Sequence, residues 1–154
     1  MNSISGGILI FCLVILGQSS CTKDPQPIRF GKDACSHCMM TIMDPKFGGE
    51  IITHKGKIYM FDDINCMIRF EGKEGERVKT HGKYYTLDFS NPASLIPADQ
   101  AYYILSDTIK SPMASRVAAF GNGDQRDAFF TQWNENGILL LWEEIVDRFE
   151  RQIR

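Results

Sequence analysis

Residues 33–43 read DACSHCMMTIM, a segment that holds two cysteines, one histidine and three methionines. A thioredoxin-like thiol site needs its C-x-x-C motif at the start of a helix, where the helix dipole lowers the thiolate pKa. Here the residues after Cys38 favour a β-strand and are followed by Pro45, so the pattern predicts a strand over residues 38–43 and no helix. The segment therefore favours a fold of short strands in which Cys35 and Cys38 lie where a loop enters a strand.

The residues that follow alternate between strand and helix patterns. After the sulfur-rich segment come two strands, GGEIITH and KGKIYMF, an apolar-periodic helix that Asp62 or Asp63 can cap, and the strand KYYTLDF. The second half repeats this order with the strands QAYYILSD and SPMASRVAAFG, a helix capped at Asp124, and the strand GILLLW. We therefore predict an α+β fold of two small ββαβ units related by internal duplication.

The chain ends in a pattern that is typical of an amphipathic C-terminal helix. An apolar stripe at helical spacing is formed by Leu141, Ile145, Phe149 and Ile153, and charged residues occupy the other faces. We expect four segments in all: residues 1–20 as a signal peptide, 21–32 as a lipidated tether, 33–95 as the first ββαβ-like half with a C-x-x-C-x-M motif, and 96–154 as the second half.

The first twenty residues indicate export. They carry no charged side chain and contain the apolar run ILIFCLVIL over residues 8–16, followed by small residues. This run is too short to cross a bilayer as a helix, which takes about 20 residues, and it is typical of a signal-peptide core. Because Ser19 and Ser20 precede Cys21, we expect a bacterial lipoprotein signal with Cys21 as the lipidation site. The alternative is a plain secretion signal, and both place the mature chain outside the cytoplasm.

Composition and charge argue against a nucleic-acid partner. The chain has 154 residues, 23% of them charged, and a formal net charge of −2. Its lysines and arginines form no uninterrupted block that would make a phosphate-binding stripe. We therefore expect one small domain, or two very small ones packed together, that does not bind nucleic acid.

Three cysteines remain in the mature chain after lipidation of Cys21: Cys35, Cys38 and Cys66. An odd number of cysteines cannot pair completely within one chain, so at least one is a free thiol or a metal ligand. A structural disulfide between Cys35 and Cys38 is an alternative that the sequence does not exclude. Zinc would use these cysteines together with His37, but zinc sites usually carry a second paired motif at a defined spacing, and Cys66 stands alone.

The methionines favour copper over zinc, because thioether sulfur is a poor ligand for Zn(II) and a good one for Cu(I). On the predicted strand, Cys38, Met40 and Ile42 share one face, and alternate residues stand roughly 7 Å apart. Flexible side chains can converge on one ion across that separation. Met39 and Met43 face the other way, where we expect them to lie in the core.

A further soft ligand is expected from the second half of the chain. Met113 follows Pro112 in the polar turn SPMAS, which offers a large apolar side chain no evident core. If the two halves pack as pseudo-equivalents, Met40 and Met113 can meet at their interface. The expected Cu(I) ligands are therefore Cys38, Met40 and Met113, followed by Cys35, His37 and Cys66.

The adjacent carboxylates Asp62 and Asp63 are expected to serve the helix that follows them. One of them caps that helix, a contribution of about 1 kcal/mol. The other stays exposed or faces a docking partner. Neither adds to a soft-ion site, because carboxylate oxygen is a hard ligand.

Together these motifs resemble the NosL family, whose members are copper-binding accessory lipoproteins of nitrous oxide reductase maturation. The matching pieces are Cys35, Cys38, Met40, Phe61-Asp62-Asp63, Cys66-Met67, Pro112-Met113 and Ala119-Phe120. The family usually has glycine where this chain has Met39, and its histidine is often one place earlier than His37. The resemblance implies a duplicated ββαβ fold and a Cu(I) site with cysteine and methionine ligands, to which a histidine can be added.

The resemblance also implies a function that is not enzymatic. We expect a membrane-anchored Cu(I) chaperone that faces the periplasm and delivers copper to an apo metalloenzyme, with nitrous oxide reductase as the expected client. An ABC-transporter-type maturation complex is a further expected partner. The alternatives are an extracytoplasmic thiol–disulfide oxidoreductase that uses Cys35 and Cys38, and a structural zinc-binding module.

Overall fold

The computed structural model describes residues 24–74, 82–133 and 137–152. Its strands are β1 Gly49–Ile52, β2 Ile58–Phe61, β3 Lys83–Leu87, β4 Leu95–Pro97, β5 Tyr102–Leu105, β6 Val117–Phe120 and β7 Ile138–Leu140. Its helices are α1 Ile64–Glu74, α2 Gly123–Trp133 and α3 Trp142–Arg151, with a short 3-10 helix at Ala98–Gln100.

The strands form two antiparallel sheets with the same internal order. The first sheet runs β2-β1-β3-β4 and the second runs β6-β5-β7. In each half the first strand is central and pairs with both the second and the third. The α+β fold of two ββαβ units is therefore confirmed. The division between residues 95 and 96 stays a prediction, and both residues lie in β4, which pairs with β3.

Two glycines allow β1 to enter the centre of the first sheet. Gly48 has a φ of +88°, a left-handed conformation that glycine adopts without strain. A Cβ at Gly48 would lie 2.0 Å from the carbonyl oxygen of Phe61, and one at Gly49 would lie 2.0 Å from that of Tyr85. Because no side chain fits, the backbone of β1 packs closely against its neighbours and holds the end of β2 in place.

One hydrophobic core joins the two halves of the chain. It includes Phe61 and Met67 from the first half, Tyr103 and Val117 from the second, and Ile145 from α3. Burial of large apolar side chains of this kind contributes about 1.5–3 kcal/mol each. Packing around this core therefore fixes the position of α1 relative to the second half of the chain.

The amphipathic C-terminal helix is confirmed over Trp142–Arg151, where Ile145 and Phe149 are buried. Leu141 is exposed because it precedes the helix, and its backbone N–H donates a hydrogen bond to Glu144 Oε2 at 2.8 Å. Ile153, the last residue of the predicted stripe, lies outside the described residues.

The predicted strand over residues 38–43 does not form. Residues 36–38 are a turn, and the segment has an isolated bridge between Ala34 and Thr41. Met39 has a φ of +65°, which no strand tolerates. The residue types favour a strand locally, but this left-handed position bends the chain into a loop.

Helix α2 also begins differently from the prediction. Asn122 is its cap, because Asn122 Oδ1 accepts a hydrogen bond from the backbone N–H of Asp124 at 2.7 Å. The cap predicted at Asp124 is therefore wrong by two residues. Asp124 lies in the first turn, where its negative charge complements the helix dipole.

Within the described ranges, no helix combines the length and the apolar character that crossing a membrane requires. The expected signal peptide and the expected lipidation site at Cys21 lie outside those ranges.

Candidate metal centre

Residues 35–40 form a loop that is bound to the neighbouring strand. The Ser36 N–H donates a hydrogen bond to the Met60 carbonyl at 2.7 Å. The Met60 N–H donates in return to Ser36 Oγ at 3.2 Å. These two bonds fix Cys35 and Cys38 beside the end of β2.

The junction between β2 and α1 supplies a carboxylate and a third thiol. Asp62 is buried, and its Oδ2 accepts a hydrogen bond from Cys38 Sγ at 3.4 Å. Asp63 caps α1, because its Oδ1 accepts a hydrogen bond from the Asn65 N–H at 2.8 Å. The first turn of the capped helix then carries Cys66, which is buried.

These segments bring together four potential metal ligands: Cys35, Cys38, Asp62 and Cys66. Their ligand atoms all lie within 4.8 Å of one another. The three cysteines are free thiols. Asp62 Oδ1 is buried and has no hydrogen-bond partner among the described residues, a costly state for a carboxylate oxygen that a cation would relieve. The cluster therefore fits a bound cation.

Cys35 is the most acidic thiol of the cluster. A hydrogen bond from the Cys66 thiol, helped by backbone N–H groups of Cys38 and Asp62, lowers the pKa of Cys35 to about 6 despite burial. The same hydrogen bond raises the pKa of Cys66. Burial raises the pKa of Cys38 to about 11, with a further contribution from Cys35. At neutral pH the cluster thus holds one thiolate and two thiols.

A pocket of about 490 Å³ opens beside the cluster. It is lined by His37, Cys38, Asn65, Cys66, Arg69 and Met113. Met113 belongs to the second half of the chain, and its backbone N–H donates to Asp63 Oδ2 at 2.8 Å. The pocket therefore lies where the two halves meet; of the two thiols that line it, Cys38 is partly exposed and Cys66 is buried.

Five of the six predicted copper ligands lie in the cluster or in the adjoining pocket: Cys35, Cys38, Cys66, His37 and Met113. Met40 does not join them. Its side chain is 57% exposed and is not among the residues that line the pocket. The expected meeting of Met40 and Met113 is therefore not found at this pocket, and a ligand role for Met40 stays a prediction.

Three packing predictions for the methionines are wrong. Ile42 is fully buried while Met40 is exposed, so Cys38, Met40 and Ile42 do not all lie on one face. Met39 and Met43 were expected in the core and are 73% and 67% exposed. Met113 does find a core, because it packs half-buried against the main cluster of apolar side chains.

Asp62 is the cluster member that the sequence did not predict. The prediction leaves one carboxylate of the acidic pair exposed or facing a docking partner, but Asp62 is 3% and Asp63 0% exposed. A helix start needs only one capping carboxylate. The second acidic residue was therefore the sign in the sequence of a role other than capping, because a buried carboxylate needs a partner of its own.

The donor set fits a soft cation best. Three sulfur atoms with a thioether nearby suit Cu(I), which accepts soft ligands and low coordination numbers. The carboxylate would also suit a harder ion such as Zn(II). The adjoining pocket gives a bound ion a route in and out.

Comparisons with known proteins agree with the fold. A model of the NosL family matches residues 27–149. Among solved structures, the chain is similar to the copper chaperone NosL from Shewanella denitrificans, with a TM-score of 0.66 and 23% sequence identity. That match covers 79% of this chain and 95% of the other. No curated protein matches the sequence.

Proposed function

This chain belongs to the NosL family, and we propose that it is a copper chaperone. The observation that carries the proposal is the cluster of three thiols and one carboxylate whose ligand atoms lie within 4.8 Å of one another. A pocket lined by His37 and Met113 adjoins it. The similar structure from Shewanella denitrificans is itself described as a copper chaperone, which supports the choice of metal.

The cargo is Cu(I), held by the sulfur atoms of Cys35, Cys38 and Cys66. Cys35 supplies the first thiolate, because its pKa is lowered to about 6. Binding of the ion then displaces protons from Cys38 and Cys66, as is usual for thiol ligands. Soft ligands and a low coordination number suit Cu(I) better than other biological cations.

Met113 adds a thioether ligand to the bound ion, and together with His37 it forms the path by which copper enters and leaves. Both line the pocket beside Cys38 and Cys66. A thioether or a neutral imidazole binds Cu(I) without first losing a proton, so it can replace a thiolate in a stepwise exchange. Copper can therefore pass to a partner one ligand at a time.

Delivery is to an apo metalloenzyme, and nitrous oxide reductase is the proposed client. The pocket supports transfer, because a client ligand can approach Cys38 from it, and this thiol is partly exposed. Lipidation of Cys21 would hold the chain at the periplasmic face of a bacterial membrane, beside an ABC-transporter-type maturation complex. The motif resemblance supports these finer assignments, and a carrier of this kind needs no catalytic group.

A structural zinc module is the second candidate, and the position of Asp62 favours it. Three thiolates and a carboxylate form a complete tetrahedral set for Zn(II). Structural zinc sites are closed, however, and here Cys38 and Cys66 line an open pocket. The open pocket therefore favours a carrier.

Competition for the metal separates the two candidates. The reduced protein is titrated with Cu(I) against a chromophoric Cu(I) chelator, with and without excess Zn(II). We expect one Cu(I) per chain that zinc does not displace, and its loss when Cys35, Cys38 and Cys66 are all changed to serine. The copper-loaded protein should then metallate apo nitrous oxide reductase, whereas the triple variant mixed with the same copper should not. Displacement of Cu(I) by zinc would favour the structural module.

A further inference from the structure

The start of α1 holds the Met113 turn by hydrogen bonds on both sides of one residue. The Met113 N–H donates to Asp63 Oδ2 at 2.8 Å, and the Met113 carbonyl accepts from Asn65 Nδ2 at 3.1 Å. The Ser115 N–H adds a bond to the same Asp63 oxygen at 3.4 Å. Asp63 is fully buried, so its two bonds to this turn are formed away from water, where a hydrogen bond is stronger.

The turn that carries Met113 is strained. Ala114 and Arg116 both have a φ of +58°, in a region that residues with a Cβ avoid. Ser111 supports this conformation: its Oγ lies 3.0 Å from Ser115 Oγ and accepts a bond from the Arg116 N–H at 3.0 Å. Such strain persists where the surrounding structure enforces it, often at sites that hold a ligand. The turn is therefore held in one conformation.

The Asp63 carboxylate holds both of the elements that carry proposed copper ligands at the pocket, the helix with Cys66 and the turn with Met113. Asp63 Oδ1 caps the helix that carries Cys66, while Asp63 Oδ2 binds the turn that carries Met113. Asn65 is oriented in turn by Arg69, whose Nε donates to Asn65 Oδ1 at 2.7 Å. The backbone segments that carry the Cys66 and Met113 side chains are thus held by the same few hydrogen bonds.

We propose that Asp63 and Asn65 are positioning residues that set the Met113 thioether in place as a copper ligand before copper arrives. The role rests on the proposed function, because it requires that Met113 binds copper. A preformed ligand loses less conformational freedom on binding and so gains affinity.

The test uses Asn65→Ala, which removes the donor to the Met113 carbonyl but keeps the backbone N–H that Asp63 caps. The matched control is Gln132→Ala, which deletes an exposed amide side chain on α2. We expect Asn65→Ala to weaken Cu(I) binding roughly tenfold, as loss of a side chain that orients a metal ligand typically does. We expect Gln132→Ala to leave it unchanged. In selenomethionine-labelled protein, the copper–selenium scattering should fall in Asn65→Ala and in Met113→Leu.

Double variants separate the positioning role from the ligand role. If Asn65 acts through Met113, adding Asn65→Ala to Met113→Leu costs no further affinity. Full affinity in Met113→Leu would overturn the ligand assignment in the proposed function. Weak binding in Met113→Leu with wild-type binding in Asn65→Ala would overturn the positioning role alone, and so would additive effects. If Asn65→Ala unfolds more readily than the control, Asn65→Leu, of similar size and without a donor, takes its place.

Discussion

The thiol of Cys38 donates a hydrogen bond to Asp62 Oδ2 across 3.4 Å. The two residues are 24 positions apart, and they join the loop of residues 35–40 to the start of α1. In the metal-free protein this bond gives Asp62 a partner while the second carboxylate oxygen has none among the described residues. When copper binds, Cys38 becomes a thiolate and has no proton left to donate. Asp62 therefore orients the thiol in the free protein and, as a hard ligand, would add only a weak bond to a soft ion beside the three thiolates.

Asp62→Asn should discriminate between the two candidate metals. The amide keeps the size and an acceptor oxygen, so Cu(I) affinity should change less than about threefold, because carboxylate oxygen adds little to a soft ion. Zn(II) affinity should fall about tenfold or more, because Zn(II) loses a ligand. Chelator competition measures both, with the exposed Asp124→Asn as control. A tenfold loss of Cu(I) affinity at an unchanged thermal midpoint would place the carboxylate in the copper site.

Cys66→Ser should weaken Cu(I) binding at least tenfold, because a hard hydroxyl oxygen replaces a soft thiolate in nearly the same volume. The matched control is Met67→Leu on the same helix, where the side chain is buried in the core. It should keep wild-type affinity. Chelator competition measures affinity, and circular dichroism checks that both variants fold. If the folded Cys66→Ser variant bound copper as tightly as the wild type, Cys66 would not be a copper ligand and would serve only to pack the core.

Copper affinity should rise with pH. The pKa of Cys35 is lowered to about 6 by the hydrogen bond from Cys66, so Cys35 is already ionised at pH 7. Burial raises the pKa of Cys38 to about 11, so this thiol must release a proton when copper binds. Each proton released increases the apparent affinity about tenfold per pH unit. Between pH 7 and 9 the logarithm of the affinity should therefore rise by about one or more per unit.

The slope of that pH profile has its own control. Cys38→Ser removes a thiol that must lose a proton, so the slope should fall by about one. A flat profile in the wild type would mean that copper binds without displacing the protons of Cys38 and Cys66. Calorimetry in two buffers of different ionisation enthalpy counts the released protons independently.

The burial of Glu50 should make the stability of the fold depend on pH, independently of the metal site. This strand residue is fully buried, and burial raises its pKa to about 7. The folded chain therefore keeps a proton that the unfolded chain has lost between about pH 4.5 and 7, so stability should fall as pH rises through that window. Glu50→Gln keeps an acceptor for the Gln26 N–H, which now binds Glu50 Oε2 at 3.1 Å, and removes the charge.

Urea unfolding at pH 4 and pH 8 measures the effect of Glu50→Gln. The variant should match the wild type at pH 4 and should be more stable at pH 8. Glu143→Gln, on the exposed face of α3, serves as control and should differ little between the two pH values. Equal free energies of unfolding for Glu50→Gln and wild type at pH 8 would show that the buried carboxyl costs nothing there.

The order of elements could be predicted from local patterns. Alternating apolar residues marked strands, and an acidic residue before an apolar-periodic run marked the start of α1, where Asp63 does form the cap. The prediction of a strand over residues 38–43 was wrong because it relied on residue preference alone. These residues favour β-structure, but Met39 adopts a φ of +65°. No glycine marks this left-handed position in the present sequence, although the family that it resembles usually has glycine in place of Met39.

The candidate site was predictable as a list of soft ligands and not as a geometry. Cysteine and methionine chemistry pointed to Cys35, Cys38, Cys66 and Met113 without any coordinates, and also to Met40, which is exposed and does not line the pocket. Their assembly depends on contacts that are distant in sequence, such as the bond between Met113 and Asp63 across 50 positions. No local pattern specifies which of two adjacent carboxylates turns towards the thiols, so Asp62 had to be found in the structure.

The most direct test of the central claim is copper K-edge X-ray absorption on the Cu(I)-loaded, reduced protein. If copper sits in the thiol cluster, one Cu(I) per chain should show a first shell dominated by sulfur. That shell should be lost, together with tight binding, when Cys35, Cys38 and Cys66 are all serine. A first shell made only of nitrogen and oxygen, or an unchanged spectrum in the triple variant, would contradict it.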